Sequence, residues 1–324
     1  MQNRRELLIG TAAAAGVAAL PFTVGPAAAQ GVALKLFVPA APGGGWDQTA
    51  RTMEQVLRAN NQVSSVQITN VGGAGGTVGL PQFVNQWKGQ SGALMVGGMV
   101  MVGAIIANKS PVKLTQTIPI ARLTGESLAV VVPAASPFKT VKDLVAALKA
   151  DPAKVPIAGG SAGGTDHILA GLLAKSVGVD PTKVSYVAFA GGGPATAAIL
   201  GNQVAAGISG YGEFAEQIKA GKMRCLAISA DAREEGVDAP TLKEGGVDLV
   251  LFNWRGVFAP PGLSAQQVAD ITKLVEDMTK SAAWAEACKA KGWVQITQVG
   301  KAYEEYVASE TTRIEGILKD LGLA

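Results

Sequence analysis

One histidine and two cysteines are all that this chain of 324 residues holds of the side chains that most often bind transition metals or work as base and nucleophile near neutral pH. His167 has no carboxylate pair around it, and no Cys-x-x-Cys or Cys/His cluster occurs, so no zinc site is expected. Cys225 and Cys288 permit one disulfide in an oxidising compartment, but their spacing does not require it, because a free cysteine packs like a small apolar residue. Aromatic residues make up only 5%, the formal net charge is +3, and no Lys/Arg-rich run carries interleaved aromatics. A nucleic-acid partner is therefore not expected. Nucleotide motifs fail as well: G-x-x-x-x-G-K-[ST] is missing, and Val78 stands where the third glycine of G-x-G-x-x-G would fall after Gly73 and Gly75. No cofactor is expected. Past the N-terminus no apolar run is long enough to span a bilayer; the best, 93–106, is broken by Gly97, Gly98 and Gly103 and reads as a buried strand entering a helix.

The N-terminus reads as an export signal. Arg4 and Arg5 precede a weakly apolar stretch, 7–24, and Ala27-Ala28-Ala29 precede Gln30, so cleavage is expected after Ala29. Adjacent arginines followed by Glu6, Leu7 and Leu8 look like a twin-arginine signal, while Asn3 stands where Ser or Thr is usual, so the general secretory route stays open. The mature chain is expected outside the cytoplasm, long enough to bury a large core and to form two lobes.

What the chain has in abundance is glycine, gathered in four clusters at 43–45, 72–76, 159–164 and 191–193. Each falls between an expected strand and an expected helix. A glycine turn feeding a helix leaves backbone N–H groups unpaired under the positive end of the helix dipole, which makes it an anion site. Strand-like runs at 34–40, 66–71 and 93–98 alternate with helical patterns at 47–59 and 78–86, and the same alternation returns from 128 to 229. An extended segment at 249–259 and three amphipathic helices at 264–280, 282–291 and 302–321 follow. This order predicts an α/β fold with parallel sheets covered on both faces. Asp47 is expected to cap the first helix, Thr165 and Asp166 another, and Pro194 to be a first helical residue. Chain crossings near Val130 and Leu251 predict lobe one at 30–130 plus 252–324 and lobe two at 131–251.

Few side chains invite a catalytic reading. Gly159-Gly160-Ser161-Ala162-Gly163 matches G-x-S-x-G in a strand-to-helix context that could present Ser161 as a hydrolase nucleophile, but the base is missing: His167 lies only six residues on, on the following helix. Ser161 is better placed as a hydroxyl donor to a bound anion. Trp46 reads equally as a wall for a ligand or as a side chain folded onto the core. His167 read by itself is a satisfied surface or helix-end histidine, and Arg51 and Arg255 are ion-pair residues at the surface or between lobes.

Taken in order, Val38-Pro39-Ala40-Ala41-Pro42-Gly43-Gly44-Gly45-Trp46-Asp47-Gln48-Thr49-Ala50-Arg51, Gly73-Ala74-Gly75-Gly76, Gly160-Ser161-Ala162-Gly163-Gly164-Thr165-Asp166-His167 and Trp254-Arg255-Gly256-Val257-Phe258-Ala259-Pro260-Pro261 closely resemble the extracytoplasmic solute receptors of tripartite tricarboxylate transporters, the Bug proteins. Further matches at Gly192-Gly193-Pro194-Ala195, 218–224 and 239–246 extend the likeness over essentially the whole mature chain.

The resemblance implies a two-lobed periplasmic binding protein of the type II arrangement, each lobe a mostly parallel sheet flanked by helices. It implies a monomer without catalytic activity that closes on a small organic carboxylate and delivers it to membrane subunits. Carried onto this chain, the binding positions are Pro42, Gly43, Gly44, Gly45, Trp46 and Asp47, then Ser161, Ala162, Gly163, Gly164, Thr165 and His167, then Ala190, Gly191 and Gly192, with Tyr211 beside them. Two departures narrow the ligand. Gly207-Ile208-Ser209-Gly210-Tyr211 stands where many relatives carry an Asp, and Trp46 replaces a small Thr or Ser, as in the tricarboxylate-type branch. Both favour a purely anionic di- or tricarboxylate, with a secreted serine hydrolase and a receptor for aromatic carboxylates as the alternatives. Replacing Gly44 or Gly163 with Val is expected to weaken ligand binding and leave the melting temperature of the free protein nearly unchanged.

Overall fold

Val32–Val38 opens the fold as β1, and the glycine turn after it feeds α1, Gly45–Ala59. The computed structural model describes residues 32–324; the expected signal and its cleavage after Ala29 lie outside them. In α1 the buried Trp46, Ala50, Met53, Val56 and Leu57 recur at three and four, so one face of the helix packs on the sheet. The chain continues through β2 (Val63–Asn70), α2 (Gly79–Gln86), β3 (Ala93–Gly98) and α3 (Met99–Ala107). Next come β4 (Ile118–Pro133), α4 (Val141–Ala150), β5 (Ile157–Gly159), α5 (Thr165–Ser176), β6 (Tyr186–Ala188) and α6 (Gly192–Leu200). It closes with β7 (Ala206–Gly210), α7 (Tyr211–Lys219), β8 (Met223–Ile228), β9 (Phe252–Ala259), α8 (Ala265–Thr279), α9 (Ala282–Lys291), β10 (Val294–Val299) and α10 (Gly300–Asp320).

The strands pair in the order β2-β1-β3-β9-β4-β7-β5-β6, with β8 and β10 also on β4. Pairing is parallel where a helix carries the chain over the sheet: β1 with β2 and β3, and β5 with β6 and β7. It is antiparallel where β4 and β9 return, so the sheet is mixed. Strand β4 joins the two parts: residues 118–127 pair with β9 and residues 128–133 with β7 and β8. Only its apolar second part, 128–133, is legible in the sequence. The first part carries Arg122, Thr124, Glu126 and Ser127, which break the apolar pattern, and tertiary contacts keep it extended. Arg122 donates to the Ile296 carbonyl at 3.0 Å and stacks over the Tyr306 ring, and Ser127 donates to Glu234 at 2.9 Å. Strand β10 has no expected counterpart; its exposed and half-buried side chains give it no strong pattern.

Helix ends differ from the sequence reading in three places, for one reason: glycine takes the cap. Asp47 is not the cap of α1; Gly44 is, and Asp47 lies in the first turn with its carboxylate reaching back to Gly43 N–H. Gly164 caps α5, and Asp166 reaches back to Gly160 N–H in the same way. Gly191 caps α6, which places Pro194 at its third residue. Cys225 and Cys288 are both free. Among the described residues no helix is long and apolar enough to cross a membrane.

Helix α10 is fastened to the sheet by a buried polar contact. Trp254 of β9, 1% exposed, donates its indole N–H to Glu310 at 2.9 Å, and Arg313 donates to both oxygens of the same carboxylate. A buried donor stripped of its acceptor costs about 1–3 kcal/mol. Glu310→Ala is therefore expected to lower unfolding stability in urea by about that amount, with Glu310→Gln, which keeps an acceptor, costing less. Equal losses for both variants would show that the acceptor is unimportant.

Candidate functional site

Three helix starts, those of α1, α5 and α6, face one cavity of about 60 Å³. Their caps, Gly44, Gly164 and Gly191, supply no side-chain acceptor to the first-turn N–H groups. A side chain caps α4, α8 and α9, where Thr140 accepts from Asp143 N–H, Ser264 from Gln267 N–H and Ser281 from Trp284 N–H, whereas α2, α3, α7 and α10 also begin without a side-chain cap. What sets α1, α5 and α6 apart is that their glycine turns all line one cavity. A cavity of about 150 Å³ accepts benzene, so a dicarboxylate, which has more heavy atoms than benzene, needs the walls of this one to part.

Of the positions expected at the site, Gly44, Gly45 and Trp46 line the cavity from the β1–α1 turn, Ser161, Gly164 and Thr165 from the β5–α5 turn, and Ala190, Gly191 and Gly192 from the turn before α6. Trp46 unites both of its readings: it is 6% exposed, within the core, and still a wall of the cavity. Pro42, Gly43, Asp47, Ala162, Gly163, His167 and Tyr211 do not line it. Asp47 holds the turn instead, accepting from Gly43 N–H at 3.0 Å, Arg51 Nε at 2.8 Å and Asn70 Nδ2 at 3.0 Å. Burial raises its pKa, but these hydrogen bonds outweigh burial and hold the carboxyl below its ordinary range.

Gly163 corrects an expectation. Its φ is +72°, and a Cβ there would lie 2.3 Å from Cβ of Ala107, so Val at 163 strains the fold and cannot serve as a neutral probe of binding. Gly44 has no such constraint; the nearest atom to a Cβ there is Gly192 N at 3.6 Å. His167 stacks flat on Tyr186, with ring centroids 4.1 Å apart, and its Nδ1 accepts from Gly163 N–H at 3.1 Å. Burial pushes its pKa down to about 4, so the ring is neutral at physiological pH. Ser161 Oγ, for its part, accepts from Gly75 N–H at 2.6 Å. Serine and histidine serve separate loops in separate hydrogen bonds rather than pairing as nucleophile and base.

The sequence reading named Arg255 as an ion-pair residue and missed its partners, Glu126 and Glu213, which with it form the charged wall of the cavity. Arg255 of β9 is 2% exposed and pairs with Glu126 of β4, and its Nη2 lies 3.6 Å from Glu213 of α7. Asp166, also lining the cavity, accepts from Gly160 N–H at 2.7 Å. Burial pushes the Asp166 carboxyl up to about 7 and that of Glu213 up to about 8; for Glu213 the attraction of Arg255 opposes this and the charge of Glu126 adds to it. A signal for two of these residues exists in the sequence. Arg255 and Glu126 each stand inside an apolar strand, and a charge buried there requires a partner.

These features agree with the relatives of the chain. Residues 49–323 match the family described as TctC, "Tripartite tricarboxylate transporter family receptor". Protein BugT of Bordetella pertussis is 27% identical over 302 residues, covering 89% of each chain. The solved structure of the periplasmic binding protein BugD superposes with a TM-score of 0.79 at 22% identity, covering 90% of this chain and 98% of that one. MatC of Rhodopseudomonas palustris, solved with bound malate, superposes at 0.75 with 24% identity, over 88% of this chain and 98% of its own. A two-lobed α/β fold and a family match over most of the chain's length lead to one conclusion: this chain belongs to the receptors of the tripartite tricarboxylate transporter family.

Proposed function

We propose that the chain is a periplasmic receptor that captures a small organic di- or tricarboxylate between two lobes, residues 30–130 plus 252–324 and residues 131–251, and hands it to the membrane subunits of a tripartite transporter. It works as a monomer, freed from its leader after Ala29, and performs no turnover. The observation that carries this reading is the convergence of three uncapped helix starts on one cavity. Neutral amide donors bind a carboxylate through charge-assisted hydrogen bonds and favour it further through the helix dipoles. The malate bound to MatC is the kind of ligand such a wall suits. Closure follows if the ligand binds the closed form better than the open one, as it does when amides of both lobes reach it.

Calorimetric titration of the purified protein with malate, succinate, citrate and benzoate tests the reading. One-to-one binding of at least one aliphatic acid is expected, with Gly44→Val lowering its affinity at least tenfold, about 1.4 kcal/mol, and leaving the melting temperature nearly unchanged. Full affinity in that variant would remove the α1 turn from the site.

The buried acids also give the unliganded protein a pH dependence. Unfolded, Asp166 and Glu213 ionise near pH ~4; folded, they keep their protons up to about 7 and about 8. At these two acids the folded state therefore binds more protons across that window and stability falls as pH rises through it, while His167, neutral when folded down to about 4, opposes the fall only below pH ~6.5. The melting temperature is expected to fall between pH 5 and 9, and Glu213→Gln, with nothing to ionise there, to lose part of the slope. An identical slope in the variant would show that Glu213 does not titrate in this range.

A further inference from the structure

An amide wall accounts for one side of the cavity and leaves the other unexplained. Beside it lie the buried carboxyl groups of Glu126, Asp166 and Glu213, with a single guanidinium, that of Arg255, paired to Glu126 and Glu213. Arg255 meets the Oε1 atoms of Glu126 and Glu213, and Asp166 accepts from Gly160 N–H. Oε2 of Glu126 and Oε2 of Glu213 are buried without a hydrogen bond of good geometry, and the Ser209 hydroxyl is near enough to Glu213 only to temper the rise in its pKa. Only Glu213 of these two residues lines the cavity, and its side chain is 8% exposed. Its free oxygen lies against the α6 start, where a Cβ on Gly192 would come within 1.7 Å of it, and 4.0 Å from the position of a Cβ on Gly44. Glycine at 192 makes room for this carboxylate beside the very amides that face the ligand.

Arg255 offsets only Glu126 fully, so Asp166 and Glu213 keep their protons in the unliganded protein. A buried carboxyl oxygen without a partner is costly. A ligand ammonium beside Glu213 supplies that partner and lets the carboxyl ionise against a positive charge, which a hydroxyl or a second carboxylate does not.

We propose that the ligand is a carboxylate that also carries an ammonium group, its carboxylate held by the helix-start amides and its ammonium by Glu213. Glu213 is then the specificity-determining residue of the site. This rests on the carboxylate-receptor reading and departs from the purely anionic ligand expected from the segment 207–211. That segment lacks an acid, but the counter-charge arrives from α7, only a few residues further on.

Isosteric pairs test the idea. Calorimetry at neutral pH compares L-aspartate with L-malate and L-glutamate with L-2-hydroxyglutarate, which differ only in ammonium against hydroxyl. In at least one pair the amino member is expected to bind tenfold or more tighter, and Glu213→Gln to remove most of that preference while binding the hydroxy member no worse. Hydroxy members binding as tightly as amino members to the wild-type protein would overturn the inference, and this comparison needs no variant. So would an amino preference that survives in Glu213→Gln, with circular dichroism melting confirming that the variant is folded. Binding of citrate, succinate or benzoate with neither amino acid overturns the ammonium subsite alone and leaves a carboxylate receptor. Binding of no carboxylate overturns both.

Discussion

An α-helix begins with N–H groups that have no acceptor within the helix, and in this chain three such deficits meet at one cavity. At α4, α8 and α9 a serine or threonine removes the deficit locally. Glycine at positions 44, 164 and 191 leaves it in place, which is useful only where something else accepts. Supporting contacts keep the turns in shape without covering the amides. Asp47 and Asp166 tie back to Gly43 and Gly160, one residue or more before the glycine cap, and Ser161 joins the β5–α5 turn to the 73–76 loop through Gly75. Acids near these helix starts thus serve the turns that precede them and leave the first-turn donors free.

The charged wall obeys a different logic. A buried ion pair recovers little of what its desolvation costs, so Arg255 between Glu126 and Glu213 is weak evidence for stability and better evidence for a site. These side chains belong to β9, β4 and α7, elements distant in sequence, so the electrostatics of the cavity depend on how the sheet is assembled. Burial drives Asp166 and Glu213 toward their neutral forms, and a charged ligand entering the cavity changes what they hold.

Much of the fold was legible locally. Glycine clusters between strands and helices located all three turns that line the cavity, and apolar periodicity located the closing helices to within a residue or two. Boundaries slipped where glycine competed with a better-known cap, as at Asp47 and Pro194, because a glycine cap satisfies geometry without offering an acceptor to recognise. The first part of β4 escaped because Arg122, Glu126 and Ser127 disguise a central strand. Gly163 looked like Gly44 in sequence and differs from it through its left-handed backbone and the approach of Ala107.

The amino-acid sequence by itself determined the α/β alternation, the glycine turns and the scarcity of catalytic groups, since each follows from residue type and spacing along the chain. Tertiary structure decided which of those turns face one another, that His167 lies neutral against Tyr186 while Ser161 serves a different loop, and that Arg255, Glu126 and Glu213 share one buried corner. Such pairings depend on distances between strands and helices remote in sequence, set by the packing of the sheet, and charge becomes costly or useful only once that packing has removed the water.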